Sequence, residues 1–382
     1  MNRCATYFVL KSAKFHSYSI TSFNIFSLYF KKLKQLSQPI IIENNSQLNL
    51  LEVVVNMCTG FTFQSHNNEV ILGRTMDYDW PLTGHPAVQP RHYEWKSRVD
   101  YQGQTLYGFV GTGSDMEGFI FGDGMNEHGL AISTQYNRDY CSYASQCRDD
   151  AMNISQNEVL TWVLGYHQSI EELCAHADQV NVVAVTLNDI NDVPPLHYHV
   201  SDASGRTVEL TFDQGRVVIH DNPIAVLTNN PDLNWHYENL KNYVAITPYR
   251  PSAKQFNDVE LTTLGSEGGT RGLPGGFTSP ERFVRAAYLI RHLQPSDDDH
   301  AVLDAFRILD AVSIPKGAVR SQNDDLHYTL YQTVFNLTSR TMFVKYYQSN
   351  QIIELSLTES LLNQSHLQLF EPISGISTTK LN

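Results

Sequence analysis

The strongest constraint on this fold is a run of short strands joined by turns too short to carry a crossover. "VVAVTL" (182–187), "LHYHVSD" (196–202), "RTVELTF" (206–212) and "RVVIHD" (216–221) are separated by turn residues at Pro194-Pro195, Ala203-Ser204-Gly205 and Gln214-Gly215. Connections this short reverse the chain, whereas parallel strands need a dozen or more residues between them. The pattern predicts antiparallel hairpins. Cys58–Gln64 and Val70–Asp77 read as another hairpin, turning at His66-Asn67-Asn68. Phe119–Phe121 and Gly129–Tyr136 flank the turn "GDGMNEHG", and a last strand pair lies in "HYTLYQTVFNL" and "TMFVKYYQ".

Helices interrupt the strands in two blocks. Ser155 and Glu158 form a capping box for "EVLTWVLG", with Gly165 as its stop, and Ser169 and Glu172 repeat the device for "IEELCAHA". Ser279-Pro280 predicts a third start, with serine as the cap, burying Phe283, Ala286, Ala287 and Ile290. Ser296 caps a fourth helix, and Asp297, Asp298 and Asp299 follow it as dipole-complementing acids rather than metal ligands. Strands, helices, strands, helices, strands in one continuous unit predict an α+β, layered architecture.

The chain's 382 residues carry a formal net charge of −13, which argues against a duplex nucleic acid partner. Residues 1–57 differ from the rest, with six basic and two acidic groups and no clear periodicity. Phe15–Phe30 is too short and too polar for a membrane span, and no signal peptide is recognisable. Five cysteines make no disulfide framework, although Cys141 and Cys147 could pair; a reduced, cytoplasmic protein is expected. No cysteine pair has zinc-site spacing. His197 and His199 share one strand face without an evident third ligand, so solvent-facing histidines are expected there, with no metal or cofactor. The sequons at Asn153, Asn336 and Asn363 carry little weight without a secretion signal.

Cys58 raises the chemical question. A cysteine is a good nucleophile as thiolate, and a free thiol titrates near about 8.5. An N-terminal cysteine has its own base, because an α-amine titrates near about 7.7–8.0. Arg74 and Asp77 follow Cys58 by sixteen and nineteen residues, so a returning hairpin brings both towards it. Arg74 would stabilise a thiolate and Asp77 would hold the amine; a surface Arg–Asp pair is the plainer alternative.

"MCTGF", "GRTMDYDW", "DGMNEHGL", "VLTNNPDLNWHYENLKNY", "GLPGGFTSPERFVRAAYL" and "PKGAVR" occur in this order, and together they resemble the choloylglycine hydrolase family. That family contains bile salt hydrolases and penicillin V acylases, which are N-terminal-nucleophile hydrolases. The resemblance runs from Cys58 to about Asn350. It implies a four-layer αββα sandwich over residues 58–382, a homotetramer, and metal-free cleavage of linear amide C–N bonds. It also implies roles: Cys58 as nucleophile, Arg74 and Asp77 beside it, Asn229 in the oxyanion hole and Arg282 as a second active-site arginine. Asn230, Tyr136, Asn137 and Tyr140 are candidate oxyanion or substrate-binding residues, and Asn230 could equally be a turn residue before Pro231.

Under this resemblance residues 1–57 are either a pro-segment removed by self-cleavage or a start-site artefact. The second is favoured, since Leu51-Glu52-Val53 can be encoded by a ribosome-binding-like run ahead of Met57. The expected substrate is a small amphipathic amide. Tyr136 takes the place of the asparagine usual in bile salt hydrolases and tilts the site towards penicillin V-like amides; a one-residue slip would put Asn137 there and restore the bile salt pattern. Bile salt deconjugation and N-acyl homoserine lactone cleavage are the enzymatic alternatives, and a non-catalytic binder of amphipathic molecules is the alternative of another class.

Overall fold

The computed structural model describes residues 57–79, 82–296 and 298–381, all within one compact unit, Val55–Asn382. The expectations for residues 1–56 and for Asp297 lie outside the described residues.

Two antiparallel sheets form the centre. The first has the order Val226–Leu227, Met57–Gln64, Val70–Tyr78, Leu326–Asn336, Thr341–Tyr346, Ile352–Ser356, with Val319–Arg320 paired beside Leu326–Asn336. The second runs Arg216–Asp221, Thr207–Asp213, Leu196–Ser201, Ala131–Tyr136, Phe119–Asn126, Phe109–Asp115, His85–Gln89, Gln368–Leu369.

Strand alternation sorts the side chains of these sheets into three cores. Phe61, Phe63, Ile71 and Val334 leave the first sheet towards the helices Ser279–His292 and Asp298–Val312, where Phe283, Ala286, Phe306 and Leu309 receive them. Val70, Leu72 and Phe335 point the other way and meet Val110, Met125 and Ala131 of the second sheet. On its far side the second sheet packs Ile132, Val200 and Leu210 against Val159, Leu160, Val163 and Leu173, which belong to the helices Val159–Tyr166 and Ile170–His176. The layers are therefore helix, sheet, sheet, helix: an α+β, αββα sandwich.

The hairpins around residues 58–78, 196–221 and 326–346 form as the sequence predicts. Local details differ. "VVAVTL" is not a hairpin arm: only Val180–Val183 is a strand, and it pairs in parallel with Met152–Ser155. The turn "GDGMNEHG" is shorter than expected, because strand pairing runs on to Asn126. The Ser155–Glu158 box is present but opens a 3-10 turn, Gln156–Glu158, before the helix. Gly165 does not stop that helix; it lies inside it, buried, where a Cβ would stand 2.7 Å from a Thr105 methyl. Thr278, not Ser279, caps the next helix, in a capping box with Glu281. His197 and His199 are fully buried rather than solvent-facing. His199 Nε2 lies 2.9 Å from Thr62 Oγ1, and His197 Nδ1 lies 2.7 Å from Glu209 Oε1. Periodicity could not reveal this, since it does not say which strand face meets a second sheet.

Gly73 lies directly opposite Phe61 in the first hairpin, and a Cβ on it would stand 2.6 Å from the Phe61 ring. The ring occupies the space a side chain would take. Overpacking of this kind costs about 1–3 kcal/mol. Gly73→Ala is therefore expected to lower the unfolding free energy by about that amount in denaturant titration. An unchanged midpoint would show that the ring moves aside freely.

Candidate active site

The first hairpin sets Cys58 opposite Met76, Gly60 opposite Arg74 and Met57 opposite Asp77. Cys58, Arg74 and Met76 consequently share the face turned to the second sheet, whereas Thr59, Thr75 and Asp77 share the face turned to the helices. The two charged residues flank the cysteine from different sides.

Arg74 is buried, and Nη2 lies 3.7 Å from Cys58 Sγ. A buried guanidinium needs acceptors and a counter-charge. Nη1 donates to Asp123 Oδ2 at 3.0 Å, and Nη2 also donates to the Thr134 carbonyl at 3.2 Å. Asp123 is in turn held by the Thr112 backbone N–H at 3.0 Å and the Thr333 hydroxyl at 2.8 Å. Burial works against the Arg74 charge, but Cys58 and Asp123 outweigh it and hold its pKa above the ordinary value.

Arg282 sits in the first turn of Ser279–His292, where the helix dipole disfavours a cation. Its contacts explain the residue. Nη1 donates to the Cys58 carbonyl at 2.7 Å and to Thr59 Oγ1 at 2.6 Å, Nη2 to Asn229 Oδ1 at 2.7 Å, and Nε to the Phe277 carbonyl at 2.9 Å. Burial lowers its pKa, against the pull of Asp77 and Cys58.

Asn229 follows the strand Val226–Leu227 and joins three elements. Its Oδ1 accepts from the Cys58 backbone nitrogen at 3.0 Å as well as from Arg282, and its Nδ2 donates to the Tyr136 carbonyl at 2.9 Å. Ser279 holds the backbone of Asn229: Oγ accepts from its N–H at 3.0 Å and donates to its carbonyl at 2.9 Å. His236 Nε2 is 2.9 Å from the same carbonyl. A carbonyl only accepts, so this histidine carries its proton on Nε2.

In the chain as described, where Met57 precedes Cys58, the Cys58 nitrogen bonds to Asn229 and Asp77 has other partners. The Asp77 carboxylate accepts from the Thr75 and Thr329 hydroxyls, on the helix side of the sheet. Burial raises its pKa, opposed by Arg282 and by the two threonine bonds. The Cys58 thiol is likewise pushed up by burial, while Arg74 pulls it down and the charge of Asp77 pushes it up further. In the chain as described, the Cys58 nitrogen is a peptide nitrogen following Met57.

Cys58 and Arg74 stand on the wall of a cavity whose other walls include Met76, Phe121, Leu187 and Ile190. Tyr136 lines it as expected. Asn137 is buried beside it without lining it, Tyr140 is half-exposed outside it, and Asn230 is an exposed turn residue before Pro231. The sequence reading missed Asp123, Ser279 and His236. All three lie within the quoted motifs, but a turn-like "GDG", a capping-type serine and an isolated histidine gave no sign of the partners they find. Among the described residues no group of three or more His, Cys, Asp or Glu side chains could hold a metal ion.

Comparison with known proteins gives this geometry a lineage. The chain is 31% identical over 322 residues to a bile salt hydrolase/transferase of Lactiplantibacillus plantarum, covering 83% of this chain and 96% of that protein. A variant of conjugated bile acid hydrolase from Clostridium perfringens superposes with a TM-score of 0.79 at 26% identity, covering 85% of this chain and all of that one. Two solved variants of that enzyme replace a cysteine at its second position and an arginine sixteen positions further on, the same spacing as Cys58 and Arg74. Penicillin V acylase from Agrobacterium tumefaciens, at 22% identity and a TM-score of 0.66, shares the fold. The family model for linear amide C–N hydrolases of the choloylglycine hydrolase type matches residues 58–370, and the chain belongs to that family.

Proposed function

We propose that this amide hydrolase acts on a bile salt-like conjugate, an apolar acyl group joined to a small polar amine, with Cys58 as its N-terminal nucleophile. The observation that carries the reading is the position of Cys58: its sulfur faces an apolar cavity beside Arg74, and its nitrogen is bonded to Asn229. Removal of the chain up to Met57 would turn that nitrogen into an amine with a pKa near about 7.7–8.0. The amine takes the thiol proton, and the new positive charge favours the thiolate that burial otherwise opposes.

The thiolate then attacks the amide carbonyl. One hydrogen of Asn229 Nδ2 and a backbone N–H near Tyr136 stabilise the oxyanion, a contribution of about 10²–10³ in rate for a single donor. The α-ammonium protonates the departing amine as the C–N bond breaks, leaving a thioester that water hydrolyses. Arg74 steadies the sulfur, Arg282 holds the Cys58 carbonyl and Asn229 in register, and Asp77 supplies negative charge on the helix side.

The family match starting at residue 58 supports an active form that begins at Cys58, with residues 1–57 either removed or not made. The intact mass of protein expressed from its own gene should correspond to a chain starting at Cys58, and Cys58→Ser should lose nearly all amidase activity while remaining folded. A fully active protein retaining Met57 would sink the mechanism.

Tyr136 favours a second substrate reading, a penicillin V-like amide, since an aromatic side chain on the cavity wall suits an aryloxyacetyl group. One such position is worth about 1–3 kcal/mol of discrimination. Measuring kcat/KM on glycocholate, taurocholate and phenoxymethylpenicillin is expected to favour the bile salts. A preference for the penicillin that Tyr136→Asn reverses would establish the second reading instead.

A thiol nucleophile and four free cysteines among the described residues favour a reducing, cytoplasmic setting. The hairpin Lys254–Phe256 and Val259–Leu261 exposes Phe256, Val259 and Leu261 to solvent. We assign its apolar side chains to contact with another copy of this chain in a homotetramer. Sedimentation should show a tetramer that Phe256→Asp with Leu261→Asp disrupts; a wild-type monomer would refute the assignment.

A further inference from the structure

The cavity beside Cys58 has polar groups on its wall as well as apolar ones, and most are engaged. Ser114 Oγ bonds to the Gly84 N–H and the Thr83 hydroxyl, both at 3.3 Å. Thr134 Oγ1 donates to the Gly122 carbonyl at 2.8 Å. Asn157 differs: its Nδ2 is buried and has no hydrogen-bond partner.

The turn that carries Asn157 is firmly held by the residues on either side. Gln156 bonds the Val185 backbone at both ends of its amide, with Nε2 to the carbonyl at 2.6 Å and Oε1 from the N–H at 3.0 Å. Glu158 accepts from the Ser155 N–H, the Ser97 hydroxyl and the Arg98 N–H at 2.7–2.8 Å. Capping and loop anchoring are thus done by Gln156 and Glu158, and Asn157 takes no part in either. A buried amide nitrogen without a partner on a cavity wall is costly unless a ligand completes it.

We propose that Asn157 is a specificity-determining residue that hydrogen-bonds a hydroxyl on the acyl group, far from the scissile carbonyl. The two residues come from different layers. Cys58 belongs to the first sheet, and Asn157 leads into Val159–Tyr166, which packs on the far face of the second sheet. Both line one cavity, so an acyl group touching both residues extends across it, away from the scissile carbonyl. It is rigid enough to hold a hydroxyl there and apolar enough for Met116, Leu187 and Ile190. A hydroxylated steroid acid has this chemistry, whereas a phenoxyacetyl group carries no hydroxyl to present. A carboxamide offers both donors and an acceptor, so it can pair with a hydroxyl in either sense.

The inference rests on the cavity being the acyl site, and its test is independent of turnover. Calorimetry would compare cholate with cholanate, the same skeleton without ring hydroxyls, on the wild-type protein and on Asn157→Leu and Asn157→Ser. The wild type is expected to bind cholate more tightly. Both variants should lose that preference by about five- to tenfold, with cholanate binding unchanged. Unchanged cholanate binding also shows that the variants are folded. An identical cholate-to-cholanate ratio in all three proteins, an equal loss on both ligands, or no binding of either would overturn the proposal. Binding with the expected ratio but no hydrolysis of any conjugate would instead refute the catalytic reading while this one stands.

Discussion

The side-chain amide of Asn229 is the joint on which this site depends. Its oxygen receives the Cys58 nitrogen and Arg282, and its own nitrogen reaches the Tyr136 carbonyl. One carboxamide therefore ties the Cys58 strand of the first sheet, a strand end of the second sheet and the first turn of the Ser279–His292 helix. These elements are far apart in the chain, and cores made of apolar contacts fix such distances only loosely. Directional bonds in a water-poor interior fix them more tightly. The backbone of Asn229 is itself clamped by Ser279 and His236, so the joint cannot drift.

Electrostatics around the sulfur follow from which strand face each charge occupies. Arg74 lies on the sulfur's face and is balanced by Asp123, while Arg282 and Asp77 oppose each other on the helix face. The region near the thiol thus holds two arginines and two carboxyl groups, one of each on either face. Nearby histidines do not disturb this balance. Burial lowers His199 to about 3 and His236 to about 4, so both stay neutral through the physiological range.

Much of this was readable from the amino-acid order. Strand alternation and turn residues give the hairpins, and alternation also explains why Arg74 and Cys58 meet. The misplaced arginine in a helix's first turn is legible as a conflict with the dipole, and its contacts resolve the conflict. What could not be read is partnership across layers. Nothing in "GDGMNEHG" says that Asp123 lies beneath Arg74, and nothing in "LHYHVSD" says that both histidines face another sheet. Sequence spacing gives the proximity of Asp77 to Cys58, but only the strand register shows that its carboxylate leaves by the face opposite the sulfur. "VVAVTL" misled for a simpler reason: its apolar run continues past the last paired residue, Val183.

The cavity draws its walls from unequal sources. Cys58, Arg74 and Met76 come from one continuously paired hairpin, whereas Leu187, Ile190 and Pro194 come from the connection between Val183 and Leu196, where strand pairing is nearly absent. Insertions and substitutions in that connection can reshape that side of the cavity without moving the sulfur or its arginine. Chemistry and substrate preference are therefore separately heritable in this architecture. A lineage can exchange the loop, acquire a new acyl donor and keep the same bond-breaking apparatus, so relatives that share the hairpin can diverge widely in what they cleave.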